Sequence, residues 1–257
     1  MRQGVLDLRE FYASPLGRVA RRMVSRKIFE AWTDASGLDV LTVGYGTPFL
    51  DDLDRFARRA VAVMPAAQGV EAWPVIGPNR ACLADETALP FPNAFFDRIL
   101  AVHALEESEN PVRLLAEACR VLSPSGRIIL AVTARRGLWA NAESSPFGQG
   151  RPFSRRQLER IVREADLEPV GWTRALYAPP LTWASRWADG FEQVGAVLWP
   201  SFAGVILMEA AKQTFALRPK GHGARAPVRA RPSFAPAPAP VGSGFSGPSP
   251  RDRRLRA

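Results

Sequence analysis

Val40-Leu41-Thr42-Val43-Gly44-Tyr45-Gly46-Thr47-Pro48 decides the fold. A short apolar run of this kind suits a strand buried on both faces, and the glycines that end it mark a turn where backbone must approach something closely. Two glycines alone are a weak signal, because many strand-to-helix turns carry them. The weight comes from the rest of the chain. A helix is expected over Asp51–Arg59, and further strands over Ala60–Val63, Ala81–Ala84, Arg98–Val102 and Arg127–Thr133. Asn110-Pro111 pairs a capping side chain with proline at the first helical position, and Val112, Leu115, Cys119 and Leu122 then share one helical face. Ser123-Pro124-Ser125-Gly126 reads as the stop and turn before the Arg127 strand. Ser154-Arg155-Arg156-Gln157 is a capping box leading into Leu158, Ile161, Val162 and Ala165, and Gly204–Ala210 reads as a last strand. Such alternation predicts a doubly wound, mostly parallel α/β sheet over residues 38–217.

The order of these pieces resembles the class I S-adenosylmethionine-dependent methyltransferases, in particular their type 11 small-molecule group. Val40–Pro48 stands where that family has its first strand and G-x-G loop. Ala84-Asp85-Glu86-Thr87-Ala88-Leu89-Pro90-Phe91 and the following Phe96-Asp97 match its acid-x-x-x-Leu-Pro-Phe segment. Glu117 to Arg127 is similar to its helix and Pro-Gly turn before the fifth strand, and Phe153 to Leu167 to its next helix. The resemblance implies a Rossmann-like methyltransferase fold, S-adenosyl-L-methionine as cofactor and a small-molecule methyl acceptor. It also implies roles. Asp85 would accept a hydrogen bond from the adenine amino group, the Glu86 backbone amide would meet the ring edge, and Gly44 and Gly46 would pass under the amino-acid part. His103 falls where the family lines the cofactor and substrate cleft; a loop histidine without a chemical role is the alternative.

Three departures from the family pattern matter. Thr42 replaces the acid that precedes the loop, and a hydroxyl carries no charge against the cofactor's ammonium. Pro48 takes the place of a third small residue and lacks an amide. Met64-Pro65 stands where a carboxylate would take the ribose hydroxyls, at the second-strand position of the cofactor site. Each lost charge-assisted bond is worth about 1.5–3 kcal/mol, one to two decades of affinity. They motivate a second reading, a non-catalytic methyltransferase-like binding or regulatory protein. A nicotinamide-type dinucleotide fold is disfavoured, because G-x-G-x-x-G and an acid ending the second strand are both missing. Val102 to Glu106 carries no recognised acceptor chemistry, so no catalytic base is assigned.

The flanks complete the picture. Residues 1–37 read as a helical segment, with Phe11–Trp32 a basic amphipathic stretch over the cofactor edge of the sheet. The aromatic stretch 172–202 reads as a lid or interface segment with a helix over Thr182–Val197, where Trp183, Trp187 and Phe191 share a face. The chain has 257 residues and a net charge of +9; nine basic residues and one acid from Arg218 onward supply +8 of it. The part before the tail is therefore close to neutral, which predicts no specific nucleic-acid partner. Residues 218–257 also hold eight of the 23 prolines and read as a disordered basic tail with at most a weak anionic partner. Cys82 and Cys119 read as packed thiols, no metal-ligand cluster stands out, and no long apolar run occurs. A cytoplasmic protein is expected.

Overall fold

In the computed structural model the described residues are 3–32, 35–181, 190, 195, 198 and 202–213. Seven strands form one sheet: β1 Asp39–Gly44, β2 Arg59–Pro65, β3 Ala81–Ala84, β4 Phe96–Val102, β5 Leu122–Thr133, β6 Leu167–Ala175 and β7 Val205–Lys212. Their spatial order is β3-β2-β1-β4-β5-β7-β6, and β7 alone runs antiparallel to its neighbours. Among the described residues five α-helices cover the faces: α1 Val5–Ala13, α2 Pro15–Ala31, α3 Thr47–Asp54, α4 Pro111–Val121 and α5 Arg155–Glu164. The central strands alternate between two cores. Val40, Leu100 and Ile129 pack towards α1, α2 and α3, while Leu41, Ile99 and Ile128 pack towards α4 and α5. Burial on both sides is why these strands read as continuous apolar runs.

The motif pieces hold one another in place. Asp97 accepts the Asp39 backbone N–H at 3.1 Å and the Ser123 hydroxyl at 3.1 Å, tying together the amino ends of β1, β4 and β5. Arg120 donates to the carbonyls of Leu89 and Phe91, to Asn93 Oδ1 and to both oxygens of Glu117; Glu117 in turn accepts the Leu89 N–H at 2.7 Å. The Leu-Pro-Phe segment is thus clamped to α4. Asn110 and Ser154 cap α4 and α5 through the Arg113 and Gln157 amides, as their spacing predicts.

Three expectations need correcting. The helix expected over Asp51–Arg59 starts at Thr47 and ends at Asp54. Gly46 caps it and Pro48 lies in its first turn, where a missing amide costs no intrahelical bond, so Arg59 is free to join β2. Ser123–Gly126 is no separate turn but part of β5, its extra residues absorbed by a register shift against Phe96 and Arg98. β6 went unread because Leu-Glu-Pro-Val-Gly-Trp-Thr-Arg-Ala is an edge strand whose pairing shifts between Pro169 and Gly171, leaving no clean alternation. Trp172 belongs to this strand. Of the helix expected over Thr182–Val197, Gly190 and Gly195 are described and helical; its aromatic face and the tail from Arg218 lie outside the described residues.

Candidate active site

In an open parallel sheet the crevice forms beyond the carboxyl ends of the strands, where the strand order reverses. Here that point lies between β1 and β4. A cleft of about 830 Å³ opens at this edge, lined at the end of β2 by Pro65, Ala66 and Ala67, at the end of β3 by Asp85, Glu86 and Thr87, and beyond β4 by Glu106 and Glu107. Its size suits a nucleoside-sized ligand. Asp85 is exposed; one carboxylate oxygen accepts the Thr87 N–H and hydroxyl, both at 2.8 Å, and these bonds hold its carboxyl below the usual range. Glu86 is buried beside it.

The β1 turn is packed against the protein itself. Gly44 has φ +87°, and a Cβ there would lie 2.2 Å from the Val102 carbonyl oxygen; one on Gly46 would lie 2.5 Å from the Thr42 side chain. Both glycines are therefore required for chain-to-chain approach, whatever they also offer a ligand. Thr42 is fully buried with its hydroxyl unpartnered. Met64 is fully buried in β2, paired with Leu83, and the cleft wall begins one residue later at Pro65. Asp85 and Glu86 thus come together on the cleft, and Thr42, Gly44, Gly46 and His103 come together at the β1–β4 crossing.

α1 covers that crossing. Tyr12 lies between Tyr45, stacked at 5.8 Å between ring centroids, and His103, whose Nε2 shares a 2.8 Å hydrogen bond with the Tyr12 hydroxyl. Phe147 packs against the His103 ring at 4.9 Å between centroids. Burial pushes the Tyr12 phenol well above its ordinary value and pushes His103 down to about 3, so both are neutral around pH 7. The helix is anchored at its start by the Val5 N–H on the Gln68 carbonyl and the Gln3 N–H on Glu107. His103 accordingly faces an N-terminal tyrosine, a partner 91 residues away that no local pattern reveals.

Glu106 belongs to no motif in the sequence. It is 4% exposed, and Oε1 accepts the Thr133 N–H at 2.8 Å from the end of β5, while Oε2 has no partner. Burial pushes its carboxyl up to about 7. The only signal in the sequence was an acid just past an apolar strand, which by itself reads as surface.

Strand order and cleft position define the Rossmann-like fold of the class I S-adenosylmethionine-dependent methyltransferases. A family model described as "Methyltransferase domain" matches residues 39–130. Among curated proteins, 27-O-demethylrifamycin SV methyltransferase of Amycolatopsis mediterranei is 36% identical over 93 residues, 34% of this chain and 34% of that protein. The chain therefore matches about a third of that relative's length. Among solved structures, a SAM-dependent methyltransferase from Thermotoga maritima aligns with TM-score 0.56 at 18% identity, covering 81% of this chain and 96% of that one. The cyclase SpnF aligns with TM-score 0.54 at 21% identity, covering 76% and 81%. At such identities the structural likeness shows the fold alone.

Proposed function

We propose that the protein is an S-adenosyl-L-methionine-dependent methyltransferase acting on a small molecule. The observation that carries this is the cleft beyond the carboxyl ends of β2, β3 and β4, with Asp85 and Glu86 at the end of β3 inside a matched methyltransferase domain. The residues present fit the cofactor's polar groups. Asp85 has one oxygen committed to Thr87, and its other oxygen is the acceptor for the adenine amino group. Glu86 presents its backbone to the ring edge, and Pro65–Ala67 form the wall along the ribose. Two buried polar atoms without partners, Thr42 Oγ1 and Glu106 Oε2, lie at the β1 and β4 end of the same edge.

The cofactor supplies an electrophilic methyl carbon on a sulfonium. The chain's task is alignment and exclusion of water, since an in-line displacement is accelerated chiefly by holding the partners in reach. Tyr12, Tyr45 and Phe147 form a dry aromatic cover over the crossing. Calorimetric titration and thermal shift with S-adenosylmethionine and S-adenosylhomocysteine test the proposal. Micromolar binding is expected, and Asp85→Ala weakens it by about one to two decades. No heat and no shift at millimolar ligand refutes the assignment and leaves the non-catalytic reading in its place.

A further inference from the structure

We propose that Glu106 is the counter-charge for the cationic methionine end of the cofactor, replacing at the exit of β4 the acid that Thr42 lacks in β1. This rests on the cofactor assignment above and goes beyond it by naming where the cation is held.

β1 and β4 are hydrogen-bonded neighbours, with Gly44 opposite Val102, so the exits of the two strands lie side by side. A neutral hydroxyl on Thr42 leaves the β1 side without charge. On the β4 side, Glu106 is held from two directions. Its carbonyl accepts the Arg151 N–H at 2.8 Å, and Oε1 accepts the Thr133 N–H. Oε2 points at no donor, and no ion pair reaches this carboxylate among the described residues. Burying a carboxylate without a cation is costly, and a cation entering the site would offset that cost. The cleft it lines is acidic: Asp85, Glu86, Glu106, Glu107 and Glu109 face one cationic side chain, Arg113.

The surroundings make Glu106 the group that titrates near neutral pH. Tyr12 from α1 and His103 on the same segment, both buried, are neutral there. Glu107, adjacent in sequence, raises the Glu106 proton affinity further, and the Arg151 guanidinium is turned to the Ser108 carbonyl. Without ligand the Glu106 proton is retained up to about pH 7. A cation beside Oε2 favours the charged carboxylate and expels that proton.

Calorimetry with S-adenosylmethionine between pH 5.5 and 7.5, in buffers of differing ionisation enthalpy, reads this directly. For the unaltered protein, release of close to one proton at pH 6 is expected, with affinity rising up to about tenfold per pH unit below 7. Glu106→Gln keeps the shape and removes the charge. It should bind about 10–100-fold more weakly at pH 7.5, with the proton release gone. S-adenosylhomocysteine, which keeps the ammonium but has no sulfonium, separates the two cations. Equal losses for both ligands place the ammonium at Glu106, and a loss confined to S-adenosylmethionine places the sulfonium there. Unchanged affinity and unchanged proton release in Glu106→Gln overturn the inference while the cofactor assignment stands, and would point to a role towards the methyl acceptor. Absence of binding to the unaltered protein overturns both.

Discussion

Replacing Glu106 by glutamine should make the unliganded protein more stable, by an amount set by pH. Burial raises the folded carboxyl from an ordinary value of 4.5 to about 7. Between these values the folded chain keeps a proton that the unfolded chain gives up, so raising the pH favours unfolding. The penalty is absent below about pH 4.5, grows by about 1.4 kcal/mol per pH unit, and levels off above about 7 near 3 kcal/mol. Glutamine mimics the protonated form: its carbonyl can still accept the Thr133 N–H, and it never charges. The gain of Glu106→Gln should follow the same curve, from near zero at pH 4.5 to about 3 kcal/mol at pH 8. His103 contributes with the opposite sign. Its folded value of about 3 lies below the ordinary 6.5, so its contribution is full above 6.5 and is lost as pH falls towards 3. That term is common to both variants and cancels in the difference. Urea unfolding followed by tryptophan fluorescence at pH 5, 6, 7 and 8 measures the quantity, with equal m-values as the check that the same transition is compared. A gain that does not change with pH, or a loss of stability at pH 8, would refute the claim that Glu106 is a buried carboxylate without a cationic partner.

Two further substitutions probe the crossing that α1 covers. Tyr12→Phe removes the hydroxyl bonded to His103 Nε2 and should cost about 1–2 kcal/mol, read from the same urea curves; no cost would mean that the bond is not formed in solution. Gly44→Ala places a methyl 2.2 Å from the Val102 carbonyl at φ +87°, and should lower stability by more than about 3 kcal/mol or prevent folding, visible by circular dichroism; a normal melting curve would contradict the turn geometry.

The elements legible in the sequence are those written in local signals. Asn110-Pro111 and Ser154 to Gln157 announce helix starts within four residues, and Val40–Val43 and Arg127–Thr133 announce buried strands by composition alone. Asp85 and Glu86 were legible for the same reason, since a short segment with fixed spacing brings them to the end of β3. β6 was hidden because an edge strand with a proline and a shifted register carries no period. Glu106 and Tyr12 were hidden for a different reason. Their character is burial and an absent or distant partner, set by Thr133 and His103 far along the chain, and neither changes the pattern of its own neighbourhood. Pro48 shows the reverse case. As a departure from the loop pattern it counted against the site, yet its position in the first turn of α3 makes it neutral to the helix.

The Arg120 clamp bears on how kinship in such proteins is weighed. Glu117, Arg120 and Leu89 are fastened to one another, and Asp97 to the amino ends of β1 and β5, away from the carboxyl ends of β1 and β4 where a ligand would react. The family match over residues 39–130 takes in this scaffolding together with the residues that line the cleft, Asp85 and Glu86 among them. The handful of positions that choose a reaction can drift with little effect on the score, and a cyclase and a methyltransferase can stand at nearly equal distance from this chain.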